Sequence, residues 1–382
     1  MESAPNHLVL VAGEASGDMH AAHLVDAIKK LDPSVTFSGL GGPKMKASGV
    51  EIYQDLASQA VVGFWEVLTH YPEIRRAFEL VLEKIDAVKP KAVLLVDFPG
   101  FNLRLARELK RRNIRVIYYI SPQVWAWKEE RVHFIKKHVD KMLVLFKFEK
   151  EFYAKHGINV EFVGHPLVDT LNITCPKDIF LENYSLPADH LTIGLLPGSR
   201  VKEIETLLPV MVHAAEILHR KIRPIQFLVM QAPTIRRPLL EFHLRDSPIT
   251  HRIVEEDIYD GINACDFCLV ASGTATLETA LLQRPMIVVY KTHLLTWLLA
   301  KCYIKISDIG LVNIVAGRRI VPECVQFEAN GQTIAEEAQK ILSDEFTMTR
   351  IKKELRSVKE ALGESGASHR AAVEVLKLLH RL

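Results

Sequence analysis

The chain has no D-x-D pair of carboxylates of the kind that holds a divalent cation against a diphosphate. A diphosphate bound here would then be met by side chains and helix N-termini, and no cofactor is expected. G-x-G-x-x-G is missing from both early glycine turns, "VAGEASGD" (11–18) and "GLGGPKM" (39–45), and neither carries a P-loop lysine. That weighs against a nicotinamide oxidoreductase and against a P-loop NTPase. Cysteine is scarce and odd in number: Cys175, Cys265, Cys268, Cys302 and Cys324 suit a reduced compartment better than a disulfide framework. The C-x-x-C at 265–268 lies in the strand-like run "ACDFCLVAS" with no second pair to complete a zinc site, so it reads as buried structural thiols. No basic n-region precedes the first apolar stretch, so no signal peptide is expected. No window reaches the roughly 20 uninterrupted apolar residues of a spanning helix. The nearest, "LLTWLLAKCYIKI" (294–306), is broken by Lys301.

What is present is a folded composition, 48% hydrophobic and 25% charged over 382 residues, a length that suits two domains better than one core. The net charge of +2 hides an uneven distribution, because residues 101–155 hold 14 Lys/Arg against 6 Asp/Glu. Such a face attracts lipid phosphates, nucleic acid or a phosphorylated substrate, or is simply the solvated outside of two helices. It contains no nucleic-acid reader motif, and no nucleic-acid partner is expected.

Apolar runs of strand length alternate with helical patterns. "HLVLVAGE" (7–14), "VTFSGLGG" (35–42), "KAVLLVD" (91–97), "IRVIYYI" (114–120) and "KMLVLF" (141–146) form a first series. After a polar stretch with Pro176 and Pro187 the rhythm restarts with "LTIGLLPG" (191–198), "IQFLVMQAP" (225–233), "HRIVEE" (251–256), "DFCLVAS" (266–272) and "RPMIVVYK" (284–291). This rhythm predicts two Rossmann-like, doubly wound parallel-sheet domains, residues 1–168 and 169–345. Two facing sheets would leave a cleft between their strand ends as the default active site. Residues 346–382 are expected to be helices that return to the first domain or exchange with a partner chain in a homodimer.

Strand ends carry the candidate chemistry. "VLLVDFPGFN" (93–102) closes a buried strand with Asp97, a carboxylate that either caps the next turn or faces a ligand. Glu14 and Asp18 in the first glycine turn are rival carboxylates. "LLPGSRVKEIE" (195–205) ends a strand at Gly198, with Ser199 where a helix N-cap would fall and Arg200 in the first turn, an arrangement suited to phosphate. "VASGTATLETALLQRP" (270–285) repeats it: Ser272, Gly273 and Thr274 form the turn, and Glu278 is placed to accept from a ribose hydroxyl pair or to complement the helix dipole. Two such turns in one domain favour a nucleotide diphosphate.

"VAGEASGD", "VDFPGFN", "SPQVWAWKEERV" (121–132), "FVGHPLVD" (162–169), "LLPGSR", "ASGTATLE" and "LVNIVAGR" (311–318) occur in this order, and together they resemble the lipid-A-disaccharide synthases over nearly the whole chain. The resemblance implies a glycosyltransferase B fold and a metal-free, inverting transfer. The donor would be UDP-2,3-diacylglucosamine and the acceptor the 6-hydroxyl of 2,3-diacylglucosamine 1-phosphate. It places the reaction in the bacterial cytoplasm, at the cytoplasmic face of the inner membrane. Inversion in one displacement needs a base, and Asp97 fits, with Glu14 and Asp18 kept as acceptor-side candidates. His20 and His23 read as helix-surface residues. His165 would orient substrate or backbone, and Asn313 matches a family position near the nucleotide. The acyl chains require an apolar surface. Val61, Val62, Phe64, Trp65 and Leu68 followed by Arg75 and Arg76 have the makeup of an interfacial patch, although a core helix would show similar residues. A UDP-sugar 2-epimerase and a non-catalytic, membrane-associated nucleotide-binding protein are the alternatives.

Overall fold

The computed structural model describes residues 6–57, 71–294, 297 and 308–380. The chain divides into two compact units, one running to Asp169 and resuming at Gly363, the other spanning Thr170–Leu362.

The first unit is built on seven parallel strands, β1 (His7–Ala12), β2 (Thr36–Gly41), β3 (Glu51–Asp55), β4 (Ala92–Val96), β5 (Arg115–Tyr119), β6 (Lys141–Val144) and β7 (Glu161–Phe162), in the order β3-β2-β1-β4-β5-β6-β7. The strand order reverses between β1 and β4, which pair in register with Ala12 opposite Val96. β4 is buried throughout, as its unbroken Ala-Val-Leu-Leu-Val run requires of a strand covered on both faces. The edge strand β3 was not expected from "EIYQD", because an edge strand is short and polar rather than apolar.

The second unit repeats the plan with β8 (Leu191–Leu196), β9 (Ile225–Met230), β10 (His251–Val254), β11 (Phe267–Ala271), β12 (Met286–Tyr290) and β13 (Glu323–Val325). The order is β10-β9-β8-β11-β12-β13, again all parallel, with the reversal between β8 and β11. Cys265 and Cys268 are buried free thiols beside β8.

The helical segment expected from residue 346 divides at Gly363. The helix Glu345–Ala361 stays with the second unit, and Ala367–His380 packs on the first helix of the chain, Ala15–Leu31. Ala371, Val375 and Leu379 bury the apolar stripe of that last helix. Its first turn is held by Asp169, whose carboxylate accepts from Ser365 Oγ at 2.8 Å and from the Ala367 N–H at 3.0 Å. Arg370 donates to the Val163 carbonyl at 2.8 Å.

Candidate active site

In open α/β sheets, ligands bind outside the strand carboxyl ends where the order reverses. In the first unit that point is the pair of turns after β1 and β4. Leaving β4, the backbone takes two successive left-handed residues, Asp97 (φ 46°) and Phe98 (φ 47°), before Pro99 starts the helix Pro99–Arg111. Such conformations cost about 1–3 kcal/mol each and persist only where neighbours enforce them. Here the Asp97 N–H donates to the Tyr119 carbonyl at 3.0 Å. Its own carbonyl accepts from the Tyr118 hydroxyl at 2.6 Å and from Asn102 Nδ2 at 2.8 Å. Phe98 stacks on Phe101 and lies over Gly13, where a Cβ would stand 2.3 Å from the ring, so a side chain at Gly13 would displace it. Tyr118 and Asn102 escaped the sequence reading because their partners are set by tertiary structure.

The carboxyl group of Asp97 is pushed up to about 6, by burial first and then by the negative charge of Glu14, while the Phe98 N–H opposes the shift. Glu14, at the start of the helix Ala15–Leu31, is thus within electrostatic reach of Asp97. Asp18 corrects the expectation. It is buried and turned away to accept from the N–H groups of Gly42 (2.8 Å), Lys44 (2.9 Å) and Met45 (3.1 Å), closing the start of the short helix Pro43–Ala47. A carboxylate holding three backbone donors is a cap, not a base. His20 is half-buried rather than open to solvent: burial, then the neighbouring His23, lowers its ring to about 4. His165 is buried, its pKa lowered to about 3, and accepts from the Leu167 N–H at 3.2 Å, so it orients backbone.

In the second unit the turns after β8 and β11 occupy the corresponding point. Gly198 has φ +116°, and a Cβ there would meet the Glu203 carboxylate at 2.4 Å. The N-cap of the helix Val201–Lys221 is Arg200, one residue beyond the expected Ser199. Glu203 accepts from the Ser199 N–H at 3.0 Å and from the Arg200 guanidinium at 2.7 Å, leaving Arg200 more than half exposed with donors to spare. After β11, the Ser272 hydroxyl donates to the Ile309 carbonyl at 2.9 Å. Gly273 has open space beside it, and Thr274 caps the helix Ala275–Leu281 without a side-chain bond, its hydroxyl left exposed. Glu278 has its carboxyl raised by burial, with the Tyr259 hydroxyl 3.5 Å away.

The partners of Asn313 lie close by along the chain. Asn313 is fully buried, donates to the Val321 carbonyl at 2.9 Å and to Glu323 at 2.8 Å, and accepts from the N–H groups of Ile320 and Val321. Glu323 in turn accepts from Ile309 and Gly310. Asn313 therefore braces the loop that leads to the Ser272 partner and offers nothing outward. Val61, Val62, Phe64, Trp65 and Leu68 lie outside the described residues. Arg75 and Arg76 are exposed on the helix Tyr71–Val88, Arg75 paired with Glu79 at 2.8 Å.

Two all-parallel sheets, each reversing its strand order at a pair of loops, define a two-domain fold of the glycosyltransferase B type. The calicheamicin glycosyltransferase CalG4 superposes with a TM-score of 0.62 at 14% identity, covering 98% of each chain. A putative UDP-N-acetylglucosamine 2-epimerase from Listeria monocytogenes gives 0.65 at 14%, covering 99% of this chain and 97% of that one. At such identities these likenesses carry the fold alone. The model of the lipid-A-disaccharide synthetase family matches residues 8–376. A lipid-A-disaccharide synthase of Syntrophus aciditrophicus is 43% identical over 375 residues, 98% of each chain. The chain belongs to the lipid-A-disaccharide synthase family.

Proposed function

We propose that the chain transfers 2,3-diacylglucosamine from its UDP conjugate to the 6-hydroxyl of 2,3-diacylglucosamine 1-phosphate, giving the β-1,6-linked disaccharide 1-phosphate and UDP. The observation that carries the mechanism is the Asp97 carboxylate, held by a strained turn at the reversal point of the first sheet and raised to about 6. A base with that value is ionised at neutral pH yet still basic enough to take a hydroxyl proton as the bond forms.

The acceptor's O6–H proton passes to Asp97, O6 attacks the donor's anomeric carbon, and the bond from that carbon to the UDP oxygen breaks on the opposite face, inverting the centre. UDP departs with the bonding pair. Arg200 and the N-terminus of the helix it caps supply positive charge for the diphosphate, and Ser199, Gly198, Gly273 and Thr274 offer close backbone approach. Glu278 is assigned to the ribose hydroxyls and Glu14 to the acceptor side.

No helix among the described residues is long and apolar enough to cross a membrane. We assign a peripheral position at the cytoplasmic face of the inner membrane, with the 61–76 segment meeting the acyl chains, on the strength of its sequence. Incubation with both substrates tests the whole reading. Disaccharide plus UDP supports it, whereas a 2-epimerised UDP-sugar or no reaction overturns it.

A further inference from the structure

The segment after β5 emerges beside Asp97, because Tyr119 pairs with Val96 and both strands run the same way. It is rigidly held. Ser121 Oγ lies 2.7 Å from the Tyr153 hydroxyl, and Trp125 Nε1 donates to the buried Glu149 at 3.3 Å. Ile120 (φ 67°) and Lys128 (φ 56°) adopt left-handed backbone, for a β-branched residue a marked departure. What this loop presents is Trp127, 40% exposed. Lys128 Nζ stands 4.5 Å from the Trp127 ring centroid, and Arg131, which opens the helix Arg131–His138, places its Cζ 5.3 Å from the same ring.

Many cations of the basic segment are neutralised: Lys110 by Asp140, Arg111 by Glu108, Arg112 by Asp86, Lys150 by Glu161. Among the described residues no carboxylate pairs with Lys128 or Arg131, and the adjacent Glu129 is 3.2 Å from His156. Arg131 is also close enough to Tyr118, the phenol that holds the Asp97 carbonyl, to oppose the upward shift of its pKa. Two uncompensated cations thus flank one exposed indole on the rim that carries the candidate base.

We infer that Lys128 and Arg131 bind the anomeric phosphate of the acceptor, with Trp127 packed against its sugar ring. This rests on the acceptor being a sugar 1-phosphate. A guanidinium and an ammonium together suit a phosphate dianion, and an aromatic face suits the apolar side of a pyranose. Phosphate gripped at C1 leaves the 6-hydroxyl, on the arm carried by C5 across the ring oxygen, free to reach Asp97.

The test compares 2,3-diacylglucosamine with and without its 1-phosphate as acceptor, in neutral detergent, for the wild type, Lys128→Gln and Arg131→Gln. The wild type should prefer the phosphorylated acceptor, and each variant should shrink that preference in kcat/KM by about 10–100-fold, the worth of a hydrogen bond to a charged group. KM for the UDP donor should hold, and Arg131→Lys should recover only part of the preference because it lacks the two-pronged contact. An unchanged preference in detergent, with weakened sedimentation on anionic vesicles, would assign the cations to lipid headgroups and overturn the inference. Equal losses on both acceptors would make the residues structural and overturn it too. A wild type that forms no disaccharide from either acceptor is the separate failure of the functional reading.

Discussion

The Tyr118 hydroxyl donates to the Asp97 carbonyl at 2.6 Å, from the neighbouring strand, across the turn where two successive residues are left-handed. Tyr118→Phe removes that donor and leaves Asn102 as the remaining side-chain hold on the carbonyl. Turnover should fall about 5- to 50-fold, with stability lowered by the ~1 kcal/mol of one hydrogen bond. Unchanged kcat would mean that Asn102 and the Asp97 N–H suffice to position the carboxylate.

Asp97→Asn should lower kcat by roughly 10²–10⁴, the usual worth of a general base, with UDP binding intact. In the wild type, kcat/KM should rise with pH through about 6 as the carboxylate ionises. The stability effect has the opposite sign. A carboxyl raised by burial stabilises the fold only while protonated, so its contribution is full below about 4, near the unfolded value, and is lost as pH climbs through 6. Asp97→Asn should therefore melt at or above the wild type at pH 8. Near-normal kcat would remove Asp97 from the mechanism and move attention to Glu14.

If guanidinium and helix N-termini meet the diphosphate charge as proposed, Arg200→Ala should weaken UDP binding far more than binding of the lipid acceptor, and activity should survive EDTA. Equilibrium binding of each ligand and an assay in chelator decide both points. Equal losses for the two ligands would make Arg200 a folding residue, and a strict Mg²⁺ requirement would contradict the charge assignment.

Asn313→Asp removes the donor to Val321 and sets a second carboxylate where Nδ2 now lies 2.8 Å from Glu323. Two adjoining carboxylates cannot both ionise cheaply. Melting should drop by several degrees, more at pH 8 than at pH 5. A pH-independent loss, or none, would contradict the brace.

Replacing Phe64 and Trp65 with Ser should reduce sedimentation with anionic vesicles and raise the KM for diacylated substrates. Vesicle binding should also weaken with salt, which screens charge within about 10 Å at 0.1 M. A variant that unfolds instead would make these residues core.

Much of the fold was legible because buried parallel strands are unbroken apolar runs, and β4 and β8 announce themselves. The edge strands β3, β7 and β13 did not, being short, polar or both. Asp97 stood out as a carboxylate closing such a run. Its left-handed backbone did not, since neither aspartate nor phenylalanine demands it; tertiary partners on β5 and in the next helix enforce it. The partners of Asp18 and Asn313 stayed hidden for the same reason. These sit 24 to 27 and 7 to 10 residues downstream, and only the folded chain brings them into contact.

Asp169 grips the start of the helix Ala367–His380, and that helix covers the first helix of the chain. The first unit is therefore assembled from both ends of the sequence. On the ribosome, residues 6–169 emerge long before the segment that completes them, and the face of Ala15–Leu31 that the last helix will cover stays open while the entire second unit is made. That second unit, continuous from Thr170 to Leu362, can close first, so that the part made earliest is the part finished last.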